Sequence, residues 1–218
     1  MANIKIASVQ FENASGDKEH SLSVIRRFSA QTAASGCQVV SLHECSITGY
    51  TFASKLSHTE LLSIAEAASD APIDGGGLLA LYRKLHPFIS AHLSPGNEYI
   101  AFDLLGRKAG ILICYDNNVV ENVRATALLG AEIVFMPHTR LACVLEFDGL
   151  KGRAWLMKWL PARAYENGVY VVFSNPIGMD HGQLKNGCAM MLDPFRDVVA
   201  GCRELGEEVA IAVCSKES

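Results

Sequence analysis

The sequence predicts an α/β fold, a mixed β-sheet layered with helices, on three observations. Short apolar runs alternate with helix-spaced segments at both ends of the 218-residue chain. Runs in the middle and near the end are separated only by turn residues, which marks hairpins and argues against a purely parallel sheet. Half of the residues are hydrophobic, enough for a packed core in one domain over residues 1–218.

Residues 4–11 alternate apolar and polar side chains and read as a first strand. Leu22, Ile25, Phe28 and Thr32 or Ala33 recur at helical spacing over 20–35, and Gly36 stops that helix. A short buried strand at 39–42 ends at His43-Glu44, and 59–68 reads as a second helix. Pro72 and three consecutive glycines make 70–77 a loop, and 78–84 reads as a strand ending at Lys84. Residues 99–103 and 108–114 form a hairpin around Leu105-Gly106, followed by a helix at 119–129 and a strand at 132–136. Residues 155–166 are expected to be helical around Pro161, with Asn167-Gly168 as the stop. Strands follow at 169–174, 188–193, 198–202 and 208–214.

The net charge of −4 and the lack of a Lys/Arg-rich run argue against a nucleic-acid surface. No apolar run has the length of a membrane span, and the opening Met1-Ala2-Asn3-Ile4-Lys5 has no leader-like apolar stretch. The seven cysteines (37, 45, 114, 143, 188, 202 and 214) are odd in number and contain no CxxC. Neither a zinc site nor a thioredoxin motif is suggested, and a reducing, cytoplasmic setting is expected.

Three polar residues sit where buried strands should end: Glu44, Lys84 and Cys114. Together they would supply a base, a cation and a thiol at one sheet edge. A thiol at a strand-to-helix junction is presented at its tip, near backbone N–H groups that favour a thiolate and can hold an oxyanion. For each residue alone the ordinary alternative is core packing or a solvated charge. His86, His92 and His138 lie near the same strand ends without metal-ligand spacing. Asp116 and Arg124 are candidates for a structural pair, and Trp155 and Trp159 for one helix face packed on the core. Arg140 and Arg153 are available to bind a substrate carboxylate.

In order, these segments resemble the nitrilase superfamily of carbon–nitrogen hydrolases. The resemblance rests on Ile6-Ala7-Ser8-Val9-Gln10, Glu44 followed by Thr48-Gly49-Tyr50, and Tyr82-Arg83-Lys84-Leu85-His86. It continues through Ser94-Pro95-Gly96, Gly110-Ile111-Leu112-Ile113-Cys114-Tyr115-Asp116 and Gly130-Ala131-Glu132 with Met136-Pro137. It ends with Arg163-Ala164-Tyr165-Glu166-Asn167 and Asn175-Pro176. Each piece is short; their joint order is specific.

The resemblance implies an α-β-β-α sandwich that pairs into a homodimer or higher homo-oligomer. It implies Cys114 as nucleophile, Glu44 as general base and Lys84 as stabiliser of the tetrahedral intermediate. Tyr115, His92 and Asn175 are the further positions expected to bind oxyanion or substrate. The substrate would be a small amide or N-carbamoyl compound, cleaved without metal or organic cofactor. Cys-Tyr-Asp is more similar to amidases and N-carbamoyl-amino-acid hydrolases than to nitrile-cleaving members.

The chain departs from the family pattern in three places. His92, with Glu98 further on, stands where many members carry a second glutamate. The stretches between Glu44 and Lys84 and after His138 are short, and the tail after the last strand is expected to be nearly absent. A non-catalytic scaffold with the same fold, or transfer of the acyl group to an amine in place of water, are the competing functional readings.

Overall fold

The computed structural model describes residues 3–65, 77–87, 89–139 and 151–215. The first strand, β1 (Ile4–Gln10), is followed by helix α1 (Lys18–Ala34) and strand β2 (Val39–Ser41). Asp17 starts α1 by accepting the His20 N–H, and Val24, Phe28 and Thr32 turn one face of the helix inward at every fourth residue. A 3-10 turn at Thr51–Lys55 precedes α2 (His58–Ile64), which Ser57 and Glu60 open with a reciprocal capping box.

Strands β3 (Ala101–Leu104) and β4 (Arg107–Ile111) form the expected hairpin. A 3-10 turn at Cys114–Asn118, helix α3 (Val120–Leu128) and strand β5 (Ile133–Pro137) follow. After α4 (Lys151–Leu156) and α5 (Leu160–Asn167) come β6 (Tyr170–Ser174), β7 (Ile177–Asp180) and β8 (Gln183–Asn186). Strands β9 (Met190–Leu192), β10 (Val198–Gly201) and β11 (Glu208–Cys214) complete the described chain.

The strands form a three-stranded sheet in the order β11-β1-β2 and a six-stranded sheet in the order β10-β9-β6-β5-β4-β3. Both are mixed. In the first, β1 runs parallel to β2 and antiparallel to β11. In the second, β4, β5 and β6 are parallel to one another and antiparallel strands flank them. The two-residue periodicity of each strand then assigns the layers. Ile133 and Phe135 of β5, with Tyr170 and Val172 of β6, pack against Ile4 and Ile6 of β1, so the sheets lie face to face. The alternate residues Val134, Met136, Val171 and Phe173 pack against Val123, Leu156, Leu160 and Ala164 from α3, α4 and α5. On the outer face of the small sheet, Val9 and Phe11 meet Val24 and Phe28 of α1. The result is an α-β-β-α sandwich, as expected, and burial on both faces explains why β5 and β6 are apolar up to Ser174.

Two expected elements differ. Residues 78–84 form no strand: Leu78, Leu79 and Leu81 are exposed and only Tyr82 is buried. Their backbone has no sheet partner there, because the segment is held by a side chain, as described below. The single helix expected over 155–166 is two helices, since Trp159 leaves helical geometry and Pro161 occupies the first turn of α5. Trp155 and Trp159 still meet edge to face, with centroids 5.3 Å apart, against the core beneath the helices. The hairpin β7–β8 was not anticipated. The left-handed His181-Gly182 pair that turns it is its sequence signal.

Close packing of α3 on β4 requires Gly110. A Cβ there would stand 2.3 Å from Cγ2 of Thr126. Gly110→Ala is expected to lower stability by about 2 kcal/mol through overpacking, read as a lower urea midpoint with an unchanged slope.

Candidate active site

Glu44 leaves the C-terminal end of β2 in a loop tied to the neighbouring sheet. Its N–H donates to the His138 carbonyl at 3.3 Å, and its carbonyl accepts from Thr139 Oγ1 at 3.0 Å. The loop closes tightly, with Gly49 N–H donating to the Cys45 carbonyl at 2.8 Å. Gly49 is left-handed (φ +83°), and a Cβ would reach 2.6 Å from Ser15 Oγ, which accounts for the glycine in Thr48-Gly49-Tyr50.

Cys114 follows the C-terminal end of β4 and opens the 3-10 turn with φ +54°, a left-handed conformation costly for a residue with a Cβ. The same turn buries Asp116 completely. Its Oδ2 accepts the Tyr82 hydroxyl at 2.8 Å and the Leu85 N–H at 3.0 Å, and its Oδ1 accepts the His86 N–H at 2.9 Å. His86 Nδ1 adds a fourth contact at 2.8 Å. The expected Asp116–Arg124 pair is therefore replaced, and Arg124 is exposed on α3. Asp116 holds the 82–86 segment in place of a strand ladder. Gly96 assists, donating its N–H to the Lys84 carbonyl at 2.8 Å where a Cβ would strike the Arg83 carbonyl.

The three candidate residues converge. Lys84 Nζ donates to Glu44 Oε1 at 2.6 Å, with both side chains largely buried. The Cys114 thiol lies within electrostatic reach of the Glu44 carboxylate, the Lys84 ammonium and the Thr139 backbone. Burial, and then the Glu44 charge, push the thiol up to about 12, against the opposing pull of Lys84. Burial works against the Lys84 charge, but Glu44 and Cys114 outweigh it and its pKa is raised. The resting site thus holds an ammonium, a carboxylate beside it and a protonated thiol. His43, fully buried with Nδ1 2.9 Å from the Glu44 carbonyl, is driven down to about 4 by burial and is neutral.

A cavity of about 700 Å³ opens over Glu44 and Lys84 and is lined also by Cys45, Tyr50 and Ile113, while Cys114 is buried and is not among its lining residues. Its other walls are largely apolar, from Leu61, Leu62 and Ile64 of α2 and from Pro87, Ile89 and Leu93. His92 lines it as well, with its ring 5.5 Å from that of His58; Glu98 is exposed and does not line it. Tyr115 is exposed, its ring edge toward His86, and its backbone stands in the turn that begins at Cys114. Asn175 is fully buried, and its Nδ2 donates to the Gly187 carbonyl at 2.8 Å, tying the end of β6 to the start of β9. The three histidines His86, His92 and His138 do not gather: His86 is held by Asp116 and His138 stacks on Phe173. Arg153 lies beside Gly201 of β10, away from the cavity, while Arg140 and Cys143 fall outside the described residues. Among the described residues no helix is long and apolar enough to cross a membrane. Thr51, Asp180 and Lys185, which lie behind the site, were not singled out in the sequence, and Tyr50 was named only as part of the Thr48-Gly49-Tyr50 motif. Only the Asp-His-Gly turn pointed toward the hairpin that carries two of them.

Residues 71–218 match the carbon–nitrogen hydrolase family, so the chain belongs to that family, the nitrilase superfamily. A nitrilase of Pyrococcus abyssi is 26% identical over 96% of this chain and 88% of its own length. An N-carbamoylputrescine amidase of Solanum tuberosum is 32% identical over 72% of this chain and 57% of its own. An amidase from Nesterenkonia sp. AN1, solved with the acetamide moiety of fluoroacetamide covalently attached at its active site cysteine, has the same fold. Its TM-score is 0.79 at 22% identity, covering 97% of this chain and 90% of that one.

Two outcomes follow from the geometry. Asp116→Asn removes the charge from four hydrogen bonds and is expected to cost about 3 kcal/mol, with a further slowing of Cys114 alkylation as Lys84 shifts. Urea unfolding and iodoacetamide labelling measure the two effects. The second concerns alkaline pH. Burial holds the Cys114, Cys202 and Cys214 thiols to about 12, whereas in the unfolded chain they ionise near 9.0. A pKa raised by folding gives stability that is full below pH 9.0 and is lost as pH rises toward about 12. The thermal midpoint should therefore be flat from neutral pH to about 8 and fall above 9.0, less steeply in Cys202→Ala.

Proposed function

We propose that the protein hydrolyses a small amide through a thioester on Cys114, and that its acyl pocket favours apolar groups. The observation that carries this reading is the ion pair of Glu44 with Lys84 on the wall of one cavity, with both charges acting on the buried Cys114 thiol. The Nesterenkonia amidase, with its cysteine covalently modified, supports thiol chemistry in this fold.

Because the resting thiol is protonated, attack requires a base in contact with it, and Glu44 is that base. Glu44 takes the Sγ proton as Sγ bonds to the amide carbon. Negative charge passes from the carboxylate to the carbonyl oxygen, where Lys84 Nζ and the Tyr115 N–H receive it. The C–N bond then breaks, its electron pair stays on nitrogen, and Glu44 returns the proton so that ammonia or an amine departs. Water, deprotonated by Glu44, attacks the thioester and releases the acid with Cys114 again as thiol.

The apolar walls from α2 and the 87–93 segment support an uncharged acyl chain. The position of Arg153 by Gly201 removes one of the two arginines available to bind a substrate carboxylate. Short aliphatic amides are therefore expected to release ammonia faster than N-carbamoyl amino acids. Cys114→Ala should lower release by at least about a thousandfold in a folded protein. Full-rate release from that variant would refute the reading. Release that is faster from the N-carbamoyl compounds would overturn the pocket assignment alone.

Leu128 at the end of α3, Leu129 that caps it and Tyr165 of α5 are exposed on the helical layer, which supports a homodimer formed across it. Light scattering is expected to give twice the chain mass, and a lower mass for Leu128→Asp.

A further inference from the structure

Behind the Glu44 loop lies a second buried lysine that the chemistry above does not use. Lys185, on β8, is 2% exposed. Its Nζ donates to Thr51 Oγ1 at 3.0 Å and lies 3.8 Å from Asp180 Oδ2. Asp180 is held in turn: Oδ2 accepts the Thr51 N–H at 2.8 Å, and Oδ1 accepts Ser15 Oγ at 2.7 Å and contacts His181 Nδ1 at 3.1 Å. The hairpin β7–β8 thus grips the chain at Thr51, directly after the loop that carries Glu44.

Tyr50 joins this network to the catalytic group. Lys185 Nζ is 5.4 Å from the centroid of the Tyr50 ring, and Lys84 Nζ is 5.7 Å from the same centroid. The ring also lines the cavity. Two ammonium groups therefore share one aromatic ring, one paired with Glu44 and the other with Asp180. The charged groups that face Lys185 are Asp180, Glu44 and, when ionised, Cys114 and Cys45. Neutral His43 stands on the same side.

A buried lysine is a costly way to fasten a hairpin. Burial disfavours its charge, and an apolar residue of similar volume would pack there at lower cost. What an apolar residue lacks is positive charge beside a thiol that must lose its proton.

We propose that Lys185 is a positioning residue for the reaction of Cys114. It clamps the Tyr50 ring and the Glu44 loop so that Lys84 meets Glu44, and it supplies a second positive charge that favours the ionising thiol. The proposal rests on Cys114 as the nucleophile, and its test has a readout that does not depend on turnover.

Lys185→Met keeps the stem and removes the charge. The wild type and this variant are compared by circular dichroism, by amide hydrolysis, and by the pH profile of iodoacetamide labelling of Cys114, assigned by peptide mass spectrometry. The expected result is a native spectrum, kcat lowered about tenfold with KM little changed, and a Cys114 labelling profile moved up by about one pH unit. A kcat within roughly twofold of wild type together with a superimposable labelling profile would overturn the proposal. Should Lys185→Met fail to fold, Thr51→Val loosens the same ammonium without deleting it. An upward shift of the Cys114 profile in that variant supports the proposal and an unchanged profile overturns it. If the wild type hydrolyses no amide, the amidase reading fails, while the labelling comparison still decides the role of Lys185.

Discussion

The site depends on one buried carboxylate. Asp116 lies two residues after Cys114, in the same turn, and gathers Tyr82, Leu85 and His86 around it. An ionised group so deeply buried is tolerable only when its lone pairs are satisfied, and here four donors converge on it. The consequence reaches beyond stability. The 82–86 segment has no strand neighbour, so Asp116 fixes the backbone that delivers Lys84 to Glu44. The residue that positions the cation is thus built into the turn that presents the thiol.

A second constraint joins the two sheets at their strand ends. Ser174, at the end of β6, is hydrogen-bonded to Ser8 of β1 at 2.8 Å and to Ser41 of β2 at 2.8 Å. All three serines are buried, and they form the polar seam in an otherwise apolar interface. Glu44 leaves from one side of this seam, while His138 and Thr139 from the other side hold its backbone. Glu44, the proposed base, belongs to the small sheet, and Cys114, the proposed nucleophile, to the large one. Their distance is therefore set by the packing of one sheet on the other.

The protonation state of the resting site follows from this burial. A desolvated thiol beside a carboxylate keeps its proton, while the neighbouring ammonium keeps its own. In the proposed reaction charge is conserved within the group, moving from Glu44 to the oxygen of the intermediate. Such a site gains from fixed cations in its surroundings, because they act on the transferred charge without having to reorganise.

Much of this protein was legible in the residues alone. The apolar runs of β5 and β6, the helical spacing of α1 and the turn residues between hairpin strands determine the elements, because burial imposes periods of two and 3.6 along the chain. Glu44, Lys84 and Cys114 stood out as candidates because charged or reactive groups adjoin apolar runs, and their expected roles came from the family resemblance. The sequence misled at 78–84, where an apolar run looked like a strand; its leucines are exposed and a distant carboxylate holds its backbone. It was silent on Asp180 and Lys185, since nothing local distinguishes a buried lysine from a solvated one. Which polar side chains meet, and hence which protons are held and which charges are paired, was decided only by the tertiary structure. Hydrogen bonds and Coulomb interactions act over a few ångströms of space, and residues such as Lys185 and Thr51, 134 positions apart, have no relation along the chain.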